Sequence, residues 1–142
     1  MTADDISGIK NAKLVTIRQL LQHSSGVFNY IQSLQFQTAS LNDLTKMWHL
    51  DELLDFARSK DTYFTPGAAV RYSNTGYVLL GMIIQRVTGK PFCQFFEERI
   101  FKPLHLNFTK FAAEYPIPDG IIRGYVDLYS NLQLINATNY SR

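Results

Sequence analysis

Tyr72 and Asn74 lie two positions apart within residues 66–77, just ahead of a strongly apolar stretch. In extended or tightly turned backbone, side chains at positions i and i+2 project to the same side, so both are predicted to face one small volume. A phenol relays a proton when its pKa is lowered, and a carboxamide both donates to and accepts from a substrate amide. The pair therefore suits acyl-transfer chemistry, with Tyr72 as the catalytic candidate and Asn74 as the substrate-binding candidate.

Acyl transfer also needs a nucleophile, and the sequence offers one weak candidate. Ser7 and Lys10 have the spacing Ser-x-x-Lys, but this pattern constrains only two positions. Gly8 lies between them and disfavours a helix by about 1 kcal/mol relative to alanine. Only a few residues separate the pair from Thr16, which leaves no room for a helix to carry it. Ser7 is therefore interpreted as part of an exposed turn.

Several short motifs occur in a fixed order along the chain. They are Thr-Ile-Arg-Gln-Leu-Leu-Gln-His-Ser-Ser-Gly at 16–26, Pro-Gly at 66–67, Tyr-Ser-Asn-Thr-Gly-Tyr at 72–77, Leu-Leu-Gly at 79–81, Val-Thr-Gly-Lys at 87–90 and Ile-Phe-Lys-Pro-Leu at 100–104. In this order they resemble the serine beta-lactamase and penicillin-binding-protein family, over about residues 13–106. The resemblance is strongest to the class C type, which includes D-aminopeptidases, D-Ala-D-Ala carboxypeptidases and beta-lactamase-like esterases.

The resemblance implies a role for each matching residue. Family members use a Ser-x-x-Lys nucleophile, a Tyr-x-Asn loop and a late Lys/His-x-Gly strand, and Tyr72 and Asn74 match the second element. The first element is expected before this sequence and the third beyond it. Residues 1–142 are therefore predicted to be a single partial domain. Its expected class is α+β, the mostly helical lobe of a beta-lactamase or transpeptidase-like fold, with short β-strands near residues 108–129.

Apolar spacing predicts the elements that position the pair. Helices are predicted from Thr16 to Gly26, over 51–59, from Ser73 or Asn74 to about Thr88 and over 91–101, and strands over 108–113 and 121–129. Residues 1–15 read as a polar lead-in and 27–48 as a mobile segment with short helices. The helix that follows Asn74 is predicted to bury one face, made of Tyr77, Leu80, Gly81, Ile84 and Val87.

Composition narrows the classes of function. The net charge of +2 comes from scattered basic residues, so no nucleic-acid partner is expected. The single Cys93 excludes an internal disulfide framework, and the apolar run at 77–84 is too short to cross a bilayer. His23, His49 and His105 have no metal-ligand spacing, and His23 is interpreted as a packing residue in the last turn of its helix. No metal and no cofactor are expected.

Two hypotheses about function follow. The first is a fragment of a serine hydrolase that forms an acyl-enzyme with a peptide, amide, ester or beta-lactam, and that is inactive alone. The second is a non-catalytic helical module for binding or oligomer contacts, in which Tyr72 anchors a loop and Asn74 only caps a helix. Apolar surface meant for a missing sheet would favour self-association. The resemblance suggests a periplasmic or extracellular location, although no signal peptide follows Met1.

Overall fold

A computed structural model describes residues 6–111 and 120–138 of the chain. The first of these segments forms α1 (Ile17–Leu21), a 3-10 helix (Tyr30–Gln32), α2 (Leu34–Asn42), α3 (Leu50–Asp55), α4 (Asn74–Thr88), α5 (Phe92–Phe96) and a π-helix (Glu97–Phe101). The second segment forms β1 (Tyr125–Val126) and β2 (Ile135–Asn136), which pair antiparallel with Tyr125 opposite Asn136. The predicted α+β class, mostly helical, is confirmed.

Local capping explains where α1 begins. The Thr16 hydroxyl accepts a hydrogen bond from the Gln19 backbone N–H at 3.2 Å, and the Gln19 side chain accepts from the Thr16 N–H at 2.9 Å. This reciprocal pair satisfies two donors that a helix start otherwise leaves unpaired. Thr16 caps the helix as predicted, but α1 ends at Leu21, well before Gly26. Leu20 is the buried residue of α1, whereas Ile17 and Leu21 are more than half exposed.

The core gathers around α4, α3 and the N-terminal turns. Leu54 of α3 and Leu79 of α4 are fully buried, and Val27 joins them from the segment that follows α1. The predicted polar lead-in contributes to the same core, because part of it folds back onto these helices. The buried apolar cluster comprises Ile6, Ile9, Ala12, Leu20, Val27, Leu54, Ala57, Val78 and Leu79.

The bounds of α4 match the prediction, but its buried face does not. The helix starts after Ser73 and ends at Gly89, whose φ of 67° provides the left-handed cap. The predicted buried face is wrong, since Tyr77 is 49% and Val87 80% exposed. The buried residues of α4 are Thr75, Gly76, Val78 and Leu79.

Specific contacts set the rotation of α4. A Cβ on Gly76 would lie 3.6 Å from Leu20, so this side of the helix packs closely on α1. Thr75 is buried because its hydroxyl accepts a hydrogen bond from the Tyr30 N–H at 3.0 Å. A glycine and a threonine therefore occupy the buried face, and hydropathy alone does not mark either residue.

Several other regions depart more from the prediction. The single helix predicted over 91–101 is divided into α5 and the π-helix, and the one predicted over 51–59 is shortened to α3. Residues 108–111 form no strand, and the remainder of that predicted strand lies outside the described residues. The strand predicted over 121–129 is reduced to β1. Residues 27–48 contain the short helices expected there. Within the described segments, no helix has the length and apolarity that a membrane span requires.

Candidate active site

Tyr72 and Asn74 meet at the start of α4. The Tyr72 hydroxyl donates a hydrogen bond to Asn74 Oδ1 at 3.2 Å. Tyr72 is 61% exposed, and Asn74 is half-buried as the first residue of the helix. The structure thus brings together the two side chains that their spacing predicts to share one volume. Their catalytic and substrate-binding roles stay predictions.

Ser73 lies between the two and points the other way. Its backbone is extended, with φ −143° and ψ 116°, so its neighbours project together on the opposite side. Ser73 is 1% exposed, its hydroxyl donates to the Phe28 carbonyl at 3.4 Å, and its N–H donates to His23 Nδ1 at 3.3 Å. An inward serine between two outward side chains explains why Tyr72 and Asn74 share a face.

Asn29 holds Asn74 from below. Its Oδ1 accepts hydrogen bonds from the Asn74 backbone N–H at 3.1 Å and from Asn74 Nδ2 at 3.4 Å. The Asn74 N–H is one of the donors that a helix start leaves without a partner inside the helix. Ser73, at the N-cap position, makes no side-chain capping bond, and Asn29 accepts from the Asn74 N–H. Asn29 is absent from the sequence-based site. A polar side chain 45 residues away carries no local signal of such a contact.

His23 packs against the exposed tyrosines. Its ring centroid lies 4.4 Å from that of Tyr72 and 5.1 Å from that of Tyr77. The predicted packing role agrees with these contacts, but the predicted place in the last helical turn is wrong. His23 follows the cap of α1 with a φ of 56°, because α1 is only five residues long. Within the described residues, no cluster of three metal-ligating side chains is found.

A backbone platform supports the whole arrangement. The N–H groups of Tyr63, Gly67 and Arg71 donate to carbonyls of residues 23–26 at 2.8–2.9 Å. Gly26 has a φ of 69°, and a Cβ there would lie 2.0 Å from the Phe64 carbonyl oxygen. Only glycine fits this backbone conformation and this close approach. The predicted helix stop at Gly26 is therefore a point where two loop segments touch.

Aromatic side chains flank the site. Burial raises the pKa of Tyr30 above its usual value, and the electrostatic effect of Tyr72 raises it further. Tyr30 therefore stays protonated, and available as a donor, to higher pH than an ordinary tyrosine. Its ring packs edge-on against Phe36 at 4.9 Å, while the Arg71 guanidinium lies 3.7 Å above the Tyr63 ring.

The weak nucleophile candidate lies in a different setting. The Lys10 ammonium forms an ion pair with Asp61 at 2.6 Å, with both side chains more than half exposed. The Ser7 carbonyl accepts a hydrogen bond from the Arg58 guanidinium, within the N-terminal turns. Ser7 is exposed in a turn, as predicted, and the partner expected to activate it is engaged by a carboxylate.

Comparison with known proteins identifies the family. The beta-lactamase family profile matches residues 8–131. The chain is 34% identical over 134 residues to a penicillin-binding protein of Bacillus subtilis (strain 168), covering 89% of this chain and 29% of that protein. It is 37% identical over 100 residues to protein flp of Staphylococcus aureus (strain COL), covering 68% of this chain and 18% of that protein. The chain belongs to the beta-lactamase family.

Solved structures agree with this placement. A D-stereospecific amidohydrolase from Streptomyces sp. superimposes with a TM-score of 0.81 at 34% identity, over 89% of this chain and 39% of that one. The D-amino acid amidase from Ochrobactrum anthropi SV3, complexed with L-phenylalanine amide, gives a TM-score of 0.74 at 31% identity, over 94% of this chain and 37% of that one. The recognised family and the fold are confirmed, and both of these structural neighbours are named as amide-hydrolysing enzymes. The chain spans well under half the length of each of these proteins.

Proposed function

We propose that this chain carries the tyrosine and asparagine element of a serine hydrolase that cleaves amide or peptide bonds through an acyl-enzyme. The observation that carries the proposal is the hydrogen bond from the exposed Tyr72 hydroxyl to Asn74 Oδ1 at 3.2 Å. The amidohydrolase and amidase among the similar structures support an amide substrate for this site. Residues 1–142 as one partial domain, and a periplasmic or extracellular location, are parts of the same proposal.

The chemistry assigns each side chain a task. A serine hydroxyl is a weak nucleophile and needs an adjacent base, which Tyr72 supplies when a neighbouring cation favours its ionised form. We place the serine and that cation in parts of the full-length protein outside this chain. Among the described residues, only Asn29 accepts from Asn74 Nδ2, so its second hydrogen is free for a substrate carbonyl. Asn74 then orients the amide while Tyr72 moves the proton.

The decisive experiment uses the full-length gene product and a substitution of Tyr72. With D- and L-phenylalanine amides as alternative substrates, Tyr72→Phe is expected to lower kcat/KM by about 100-fold or more, the scale of lost general acid–base help. Stability should change by about 1 kcal/mol or less, because the hydroxyl lies in an exposed position.

Tyr77→Phe is the matched control, since this second phenol also contacts His23 and is exposed, but donates to the Leu21 carbonyl rather than to Asn74. It is expected to keep turnover within about threefold. The isolated 142-residue chain should not be labelled by a fluorophosphonate. Unchanged turnover in Tyr72→Phe together with a strongly destabilised fold would make the tyrosine an anchor, and would favour the non-catalytic module instead.

A further inference from the structure

Asn29 is a buried polar residue with both backbone groups engaged. The residue is 3% exposed. Its N–H donates to the Tyr63 hydroxyl at 3.1 Å, and its carbonyl accepts from the Gln32 N–H at 2.9 Å. A buried carboxamide is costly unless it is hydrogen-bonded, and in the described part of the chain the Asn29 oxygen accepts both of its hydrogen bonds from Asn74.

The polarity of one backbone group determines the orientation of both carboxamides. The Asn74 backbone N–H can only donate, so the Asn29 atom that faces it must be Oδ1. That oxygen in turn requires a donor from the Asn74 side chain, which places Nδ2 toward Asn29. The opposite end of the Asn74 carboxamide, Oδ1, then faces the Tyr72 hydroxyl.

A flipped Asn74 carboxamide would fail at the Asn29 end, because its oxygen would oppose the oxygen of Asn29. At the other end its N–H group would meet the Tyr72 hydroxyl, which would change from donor to acceptor. The chain of contacts from Asn29 through Asn74 to Tyr72 therefore has one satisfied arrangement.

We propose that Asn29 is a positioning residue, which orients the Asn74 carboxamide and, through it, the Tyr72 hydroxyl. The inference rests on the proposed function, because it adds a member to the same site. Asn29 touches no substrate in this scheme. It fixes which end of Asn74 a substrate amide meets and where the proton of the neutral Tyr72 hydroxyl points before it is transferred.

The test compares two substitutions of Asn29 in the full-length gene product. Asn29→Leu keeps the volume but removes the acceptor, and is expected to lower kcat/KM for an amino acid amide by about 10- to 100-fold. Asn29→Asp keeps an oxygen acceptor for both donors and should retain kcat/KM within about threefold at its own optimum. Its added negative charge should move the limb of the pH profile that reports tyrosine ionisation to higher pH, because a negative charge disfavours the phenolate.

A matched control separates positioning from stability. The Asn11 carboxamide donates to the Ser25 and Phe64 carbonyls at 3.0 and 2.9 Å, and makes no bond to residues 72–74. Asn11 has a φ of 69°, so Asn11→Gly removes its hydrogen bonds without backbone strain. It should lower the melting temperature while leaving kcat/KM per folded molecule unchanged.

A second readout does not depend on activity. In nuclear magnetic resonance spectra, the Asn74 side-chain amide protons should exchange with solvent at least about tenfold faster in Asn29→Leu than in the parent or in Asn11→Gly. Faster exchange in a protein that hydrolyses no amide would overturn the proposed function and keep the positioning role. If the parent protein is active but Asn29→Leu changes neither turnover nor the exchange of the Asn74 amide protons, the positioning role alone is overturned. If Asn29→Leu does not fold, Asn29→Asp decides, since an unshifted pH profile or a comparable loss of turnover overturns the inference.

Discussion

Burial of apolar side chains differs between residues 6–111 and residues 120–138. The first, here called the helical segment, contains every member of the buried core cluster, including the fully buried Leu54 and Leu79. The second, the strand segment, has two strands of two residues each, and leaves Ile122 and Leu132 more than 90% exposed. Polar groups follow the same division. The helical segment contains the buried Asn29 network, whereas hydrogen bonds of the strand segment are exposed.

The difference shows what the site depends on. Tyr72, Asn74 and the residues that hold them all lie in the helical segment, next to its own core. Their geometry therefore requires none of the contacts that the strand segment makes. The strand segment instead has side chains suited to a buried sheet face, but a two-residue pair has no covered face to offer them.

Two glycines with left-handed backbone give the largest expected contrast. Gly26→Ala should destabilise the fold by about 3 to 5 kcal/mol, because left-handed strain adds to a clash with the Phe64 carbonyl. Gly120 has a φ of 82°, and none of the described residues lies within 4 Å of the position a Cβ would take, so Gly120→Ala should cost about 1 to 2 kcal/mol at most. Urea denaturation of both variants measures the difference, and equal losses would remove the distinction between the two segments.

Self-association gives the next largest effect. Replacing Ile122, Leu132 and Leu134 with serine should weaken association of the isolated chain by about tenfold or more, because these exposed apolar side chains are then lost from any contact. Sedimentation velocity over a range of concentrations measures the shift. Val87→Ser is the comparison in the helical segment, where the side chain is 80% exposed. A larger effect from Val87→Ser would place the self-association surface on the helical segment.

The smallest expected effect concerns three carboxylates of the helical segment, of which Asp61 is exposed and Glu52 and Glu98 are half-buried. A hydrogen bond from Lys10 lowers the pKa of Asp61, and one from Lys90, helped by Gln94, lowers that of Glu98. The His49 backbone N–H, followed by the Lys46 side chain, lowers the pKa of Glu52. Because the folded pKa values are lowered, their stabilisation is present above the ordinary carboxyl pKa of about 4 and is lost as pH falls below it.

Thermal melts between pH 7 and 3 test this carboxylate effect. Asp61→Asn should flatten the acid decline slightly, and salt should reduce the difference through screening. Asp127 of the strand segment is the control, because its carboxylate accepts from the backbone N–H groups of Asn131 and Leu132 in its own turn and not from a lysine of the described residues. A steeper change from Asp127→Asn would contradict the assignment of acid sensitivity to the helical segment.

Signals that act over a few residues were readable from the sequence. The helix start at Thr16, the helix end near Thr88, and the spacing of Tyr72 and Asn74 each express a local backbone rule, and each is found as expected. The order of the motifs identified the family as well. The buried face of α4 was misread because apolar content cannot show that Gly76 and Thr75 meet partners on other elements.

The parts of the site that the sequence did not predict are long-range contacts. His23 bonds to Ser73 across 50 positions, and Asn29 to Asn74 across 45. Nothing near either residue distinguishes an inward polar side chain from a solvated one, because the difference depends on which segment arrives opposite it. The length of the strand predicted over 121–129 was overestimated for a related reason. Alternating side chains favour a strand, but a long strand also needs further strands to pair with it.

The separation between Asn29 and Asn74 also sets a time order. A ribosome adds about 5 to 20 residues per second, so the 45 residues between them take about 2 to 9 seconds to synthesise. During that interval the Asn29 carboxamide lacks Asn74 as a partner, and the two hydrogen bonds form when the start of α4 reaches it. The hydrogen bonds that position Tyr72 can consequently form only after Asn74 has been synthesised. In a chain stalled before residue 72, the Asn29 carboxamide is still exposed to water and no part of the site has formed.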